Sequence, residues 1–183
     1  MADVPEEIAC IALLKKYSTP DHIIRHCQMV WEVGRFIGNN LVRENYKLDL
    51  PLLRASCLLH DIGKFLSITS GQKRHDILGQ EILTKEGFPE VGVIVAQHVV
   101  LNNCRDKTVA EEHVVFYADK RVIHDQIVTL EKRFVYLNET YGKSEEALER
   151  LSFMKQETVD VERAIFELLD FGPDEISKLT PSI

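Results

Sequence analysis

The sequence lacks a long apolar run and a recognisable secretion signal. No uninterrupted apolar segment reaches the about 18 residues of a membrane-crossing helix, and the N-terminus, MADVPEEIAC, has no basic stretch followed by an apolar one. The cysteines form no Cys-x-x-Cys pair, and their helical surroundings favour buried, reduced thiols over a disulfide framework; they are Cys10, Cys27, Cys57 and Cys104. We therefore expect a soluble, cytoplasmic protein.

Positive charge is also scarce. The chain has 22 Lys and Arg against 29 Asp and Glu, which gives a formal net charge of -7. This balance argues against the basic surface that nucleic-acid polymers and anionic membranes require, so we expect neither as a partner. A small anionic substrate is compatible with the composition, because a bound metal ion supplies positive charge locally.

The spacing of apolar residues predicts an all-α fold. Steps of three and four residues predict helices over about 20–42, 52–60, 75–86, 109–141 and 144–169, and one more that begins at Pro89 and carries His98. Leu148 and Leu151 are expected to be buried, and 102–107 is predicted to be a loop. We expect a single-domain helical bundle, with an N-terminal helix at 1–19, a core at 20–125 and a C-terminal helical extension at 126–183 packed on that core.

The dipeptide His-Asp occurs three times, at residues 60–61, 75–76 and 124–125. His60 and Asp61 come where a helix ends before a glycine, so both side chains can turn into one pocket, whereas neighbours within a helix diverge by about 100°. The pair at 124–125 is predicted to lie on a continuing helix. His75 can turn inward from a helix start, but Asp76 is explained by the helix dipole alone.

Other histidines are less informative by themselves. His26 lies within the apolar stripe of its helix, where it is either a core histidine bonded to the backbone or a metal ligand. His22, one turn earlier, is interpreted as a solvated rim residue. His113 is interpreted as a polar position near the start of its helix.

The order of the motifs is the strongest signal. His26, then LLHDIGK, RHDILG, VAQHVV and FYADKR resemble the HD-domain (HDIG) superfamily of metal-dependent phosphohydrolases, in its stand-alone type. The resemblance implies a helical bundle that holds one or two divalent ions, of Mn, Fe, Co, Mg or Zn. The implied first site consists of His26, His60, Asp61 and Asp119. Asp61 would bridge to a second site with His75 and His98, although Gln97 stands where many dinuclear relatives carry another histidine.

The implied activity is hydrolysis by a metal-activated hydroxide. This fits a sequence without a Gly-x-Ser-x-Gly elbow, a P-loop or a convincing cysteine nucleophile. Asp61 and Lys64 are the expected catalytic residues; Lys64 would bind phosphate, or else simply suits a helix end. Lys120, Arg121 and Arg74 are weaker candidates for the mouth of the site.

The expected substrate is a small phosphorylated molecule with a phosphoester or phosphoanhydride bond, a nucleotide by analogy with relatives, such as a dinucleoside polyphosphate. Two alternatives are open: a di-iron oxygenase, and a nucleotide-binding regulator without catalysis. The C-terminal helices would cap the pocket or form the face of a homodimer.

Overall fold

The structure, a computed structural model, describes residues 4–71, 74–102 and 108–179. Within these ranges it contains nine α-helices, one short hairpin and a final 3-10 helix, so the predicted all-α class is confirmed. The elements are α1 (Glu7–Lys16), α2 (Asp21–Arg43), α3 (Leu50–Leu59), α4 (Lys64–Ser70), α5 (His75–Lys85), α6 (Pro89–Val95), α7 (Glu111–Lys120), β1 (Val122–Ile123), β2 (Gln126–Ile127), α8 (Leu130–Tyr141), α9 (Glu145–Phe166) and the 3-10 helix Pro173–Lys178. Every described helix is too short or too polar to cross a lipid bilayer.

Helix α2 is the centre of the bundle. It packs against α3 and α7, and its apolar stripe, with Val30, Val33 and Ile37 completely buried, forms the main core with both helices. Helix α9 returns to this core through Val161 and Ile165. A second apolar cluster joins α1 and α3 to α5 and α6. The division of the chain into units at residues 19/20 and 125/126 stays a prediction.

The predicted helix over 109–141 is wrong. Helix α7 ends at Lys120, and residues 122–127 form an antiparallel hairpin in which Val122 pairs with Ile127. His124 occupies its turn with φ of 55°. The apolar residues of this hairpin happen to continue helical spacing, but the segment is rich in β-branched residues, which favour extended backbone. Thr129 then caps α8 by accepting a hydrogen bond from the Lys132 N–H.

Leu148 and the cysteines concern two further expectations. Leu148 is 45% exposed rather than buried, whereas Leu151 is buried with Phe134 and Leu137 in a small cluster between α8 and α9. The three described cysteines are free and completely buried, and burial raises the pKa of the Cys10 thiol to about 12. Cys104, like most of the predicted loop at 102–107, lies outside the described residues.

A close backbone contact joins the turn after α3 to α5. A Cβ atom added at Gly63 would lie 2.3 Å from the carbonyl oxygen of His75 and 2.7 Å from the backbone nitrogen of Gly79. Both neighbours are main-chain atoms, which cannot move aside as a flexible side chain can. Glycine is therefore required at position 63 because there is no space for a side chain. Backbone conformation is not the reason, since φ of Gly63 is -80°, which any residue adopts.

We expect Gly63→Ala to lower the free energy of unfolding by about 1–3 kcal/mol or more, because the added methyl group must push two backbone segments apart. Denaturant unfolding of the purified variant measures this. Gly172→Ala is the matched control, since an added Cβ there meets nothing within 4 Å. Equal stability of the two variants would contradict the close contact.

Candidate metal centre

The six candidate ligands come from five helices or helix ends. His26 lies on α2 and Asp119 near the end of α7, while His60 and Asp61 occupy the turn that follows α3. His75 is the first residue of α5, and His98 follows α6 instead of lying on it, because α6 ends at Val95. The structure brings all six together in two groups within which ligand atoms lie no more than 4.8 Å apart: His26, His60 and Asp119, and Asp61, His75 and His98.

Asp61 lies between the two groups and is 1% exposed. Its Oδ2 is 3.6 Å from His60 Nε2 and 4.0 Å from His26 Nε2. Its Oδ1 is 3.4 Å from His75 Nε2 and 3.7 Å from His98 Nε2. Each oxygen of one carboxylate thus faces a different group, which is the arrangement that a bridging ligand needs.

Backbone carbonyls orient three of the histidines. His60 Nδ1 is 2.8 Å from the Cys57 oxygen and His98 Nδ1 is 2.7 Å from the Val95 oxygen. His26 Nδ1 is 2.7 Å from the oxygen of His124, in the turn of the hairpin. With Nδ1–H donating to these carbonyls, each ring presents the lone pair of Nε2 to the centre, as metal-binding histidines do.

A ring nitrogen at the centre is buried without a hydrogen-bond partner. Nε2 of His60 is inaccessible to solvent and makes no hydrogen bond, although its ring is held in place by the bond to Cys57. An unsatisfied polar atom in the interior is costly. A divalent ion at the centre would satisfy it, so the residues present fit a metal of the class that binds imidazole and carboxylate.

The protonation states of the histidines and carboxylates also suit a bound metal ion. Burial lowers the pKa of His60 to about 4, although the carboxylates of Asp61 and Asp119 oppose this shift. Burial likewise holds the pKa of His98 well below its usual range. Burial raises the pKa of Asp61 and of Asp119, but neighbouring groups outweigh it and leave both pKa values lowered. The main ones are His60 and Lys64 beside Asp61, and Lys120 and Arg133 beside Asp119. At neutral pH the imidazoles of His60 and His98 are thus neutral and both carboxylates are ionised, the forms that coordinate metals.

Three cationic side chains surround the carboxylates. Lys64 Nζ donates to Asp61 Oδ2 at 2.7 Å, and Lys120 Nζ donates to Asp119 Oδ2 at 3.0 Å. Arg133, on α8, lies with Nη2 3.4 Å from Asp119 Oδ1, and its buried Nε makes no hydrogen bond. Sequence reasoning missed Arg133, because a single arginine on an amphipathic helix gives no signal that distinguishes it from a solvated residue.

Of the weaker candidates for the mouth, Lys120 lines the cavity beside the centre, whereas Arg121 and Arg74 have structural roles. Arg121 is 2% exposed and donates to the Val128 carbonyl and the Tyr117 hydroxyl, so its expected place at the mouth is wrong. Arg74 pairs with Asp76. Gln97 does not replace a ligand, since its side chain contacts the Val93 carbonyl and the Asn102 N–H.

The other His-Asp pairs stay outside the centre for different reasons. Asp76 is completely buried and bonded by Arg74, so the helix dipole alone does not explain it. His124 contributes its carbonyl and not its ring, while Asp125 lies at the surface, 3.4 Å from Arg25. His22 is exposed, as expected. His113 is buried and accepts a hydrogen bond from the Ala110 N–H.

Comparisons with known proteins point to one family. The model of the HD domain matches residues 23–135, more than half of the chain. An uncharacterized protein of Methanocaldococcus jannaschii is 24% identical over 161 residues, which are 80% of this chain and 93% of that protein. No solved structure matches.

Two further relatives are longer proteins named tRNA (cytidine(56)-2'-O)-methyltransferase. The one from Thermoplasma volcanium is 29% identical over 167 residues, or 81% of this chain and 45% of that protein. The one from Picrophilus torridus is 29% identical over 143 residues, or 70% and 40%. This chain thus spans less than half of each methyltransferase. The family match covers all six residues of the centre, and the chain belongs to the HD-domain family.

Proposed function

We propose that the protein is a metal-dependent phosphohydrolase that uses one or two divalent ions. The observation that carries this proposal is the position of Asp61, whose two oxygens face separate groups of histidines. We propose His26, His60, Asp61 and Asp119 as ligands of one ion, and Asp61, His75 and His98 as ligands of the other. When bound, such ions generate a nucleophile from water at neutral pH and neutralise charge on a phosphoryl oxygen.

The side chains around the centre suit an anionic substrate. Lys64, Lys120 and Arg133 supply three positive charges against the two carboxylates of Asp61 and Asp119, in a chain whose net charge is -7. Burial lowers the pKa of Lys120, although Asp119 opposes the shift. Arg133 can present two parallel N–H donors to a phosphate, whereas Lys64 acts as a point charge. These groups would bind and orient the phosphate at the metal ligands.

The proposed substrate is a small phosphorylated molecule. The expectation of a nucleotide rests on the family resemblance. The methyltransferase relatives suggest a role connected with tRNA, but the matched part is less than half of each. A di-iron oxygenase would use the same histidines and carboxylates, so iron-loaded protein belongs in the same experiment.

We expect protein stripped with a chelator to hydrolyse no phosphate ester, and to recover activity when Mn, Co, Mg, Fe or Zn is restored. Release of inorganic phosphate from mononucleotides and simple phosphate esters, and of nucleotides from dinucleoside polyphosphates, measures this. Elemental analysis reports the metal content. Absence of both bound metal and metal-stimulated hydrolysis would overturn the proposal, and dioxygen consumption by the iron form alone would favour the oxygenase.

We expect Asp61→Asn to reduce turnover by at least about 100-fold with loss of bound metal, because the amide keeps the shape but removes the charge that a bridging ligand supplies. Asp125→Asn is the control. It removes the acid of another His-Asp pair, at a surface site where changes cost within about 0.5 kcal/mol. Metal analysis and turnover of both variants decide the matter; loss of metal in Asp125→Asn alone would refute the assigned ligands.

We expect Lys64→Gln to raise KM or lower turnover by about tenfold or more while metal content stays unchanged, since an ammonium contributes charge without ligating the ion. Lys132→Gln is the control, because Lys132 is exposed on α8. Steady-state kinetics and metal analysis are compared. Unaltered kinetics in Lys64→Gln would leave Lys64 with only its bond to Asp61.

A further inference from the structure

The metal centre forms one end of a cavity of about 390 Å³. Asp61, His75, His98 and Asp119 line the inner end, next to the cations described above. The rest of the wall comes from α4, α8 and α9 and is built mainly of apolar side chains: Ile68, Leu137, Tyr141, Leu151 and Met154. These five residues are called the apolar wall below.

The apolar wall combines a firm base with an accessible rim. Leu137 and Leu151 are buried and belong to one cluster with Phe134, so they hold a fixed position. Ile68 is 72% exposed and Tyr141 is 55% exposed, at the outer edge of the cavity. A bound organic group would cover the exposed side chain of Ile68 and remove its apolar surface from water, which is favourable.

Hydrogen-bonding groups are scarce at this end. Apart from the metal ligands and the three cations, the described lining residues offer as polar side chains only the hydroxyls of Ser67 and Tyr141. A nucleobase edge has several donors and acceptors, which would need amide, carboxylate or backbone partners on entering such a site. An aryl or branched alkyl group needs none.

The volume of the cavity also indicates that an organic group binds next to the phosphate. A cavity of this volume falls within the range that holds whole small-molecule ligands, and a phosphate at the inner end would fill a minor part of it. The phosphate and the remaining group would then occupy chemically different ends of one cavity. The inner end is ionic, and the outer end is apolar.

We propose that the apolar wall binds the organic group of the substrate, and that the substrate is a phosphate monoester of an aryl-bearing or branched alkyl alcohol. The proposal rests on the proposed hydrolase function and names its substrate class. Ile68 is a specificity-determining residue in this arrangement, since it covers the bound group from the rim.

The test compares 2-naphthylmethyl phosphate with ethyl phosphate on the metal-loaded protein. Both esters release a primary alcohol, so a difference in kcat/KM reports contacts with the organic group more than the chemistry of the leaving group. We expect the naphthylmethyl ester to be preferred by at least about tenfold, since burial of an aromatic group is favourable. Adenosine 5′-monophosphate serves as the third substrate.

Three variants connect the preference to the wall. Ile68→Asn should reduce kcat/KM for the naphthylmethyl ester by about tenfold, and that for ethyl phosphate by a smaller factor, because the ethyl group contacts less of the wall. Ile68→Leu should keep the preference. Ile8→Asn is the matched control, because Ile8 is 86% exposed on α1 and does not line the cavity. Thermal unfolding verifies that all three variants are folded.

Binding of 2-naphthylmethylphosphonate and of ethylphosphonate, measured by calorimetry, provides a readout independent of turnover. If no ester is hydrolysed but the naphthyl phosphonate binds more tightly in an Ile68-dependent manner, the hydrolase function fails and the apolar site stands. Equal kcat/KM for the two esters with equal Kd for the two phosphonates overturns the inference, as does adenosine monophosphate as the preferred substrate or an Ile68→Asn variant that keeps the preference.

Discussion

The close packing of the turn after α3 on α5 is the constraint on which the candidate metal centre depends. Gly63 lies against the His75 carbonyl and Gly79, and a Cβ at Gly79 would in turn lie 2.9 Å from Val95 on α6. Three ligand-bearing segments are therefore stacked without room for another methyl group. Asp61, His75 and His98 converge because the backbones that carry them are in contact.

Electrostatics explains why this interior tolerates so many polar groups. Two buried carboxylates would each be expensive to desolvate alone. Here each lies beside histidines and at least one cationic side chain. The pairing keeps both carboxylates ionised, while burial keeps His60 and His98 neutral. Charges of both signs inside the fold thus maintain the protonation states that favour a divalent ion.

The fold class could be read from the sequence because apolar spacing is a local signal, whereas the proposed ligands were implied by the order of motifs that resembles the HD-domain family. Apolar spacing marks α2, and helix ends next to glycine or proline mark the positions around Gly63 and Pro89. The break after α7 could not be read, because the apolar residues of the hairpin continue helical spacing. Arg133 and the burial of Asp76 depend on which helices meet in space, and single-residue patterns carry no information about that.

His124, in the turn of the hairpin, contributes to the centre through its backbone and not through its side chain. Its carbonyl fixes the ring of His26, and its left-handed backbone places that carbonyl, whereas its imidazole is not a member of the metal centre. Conformation is therefore what this position must supply. Asparagine or glycine would adopt the positive φ readily, with loss of the edge-on contact between the rings of His124 and Tyr136, whereas valine or isoleucine would resist it. The geometry of the peptide unit at position 124 thus matters more to the centre than the identity of its side chain.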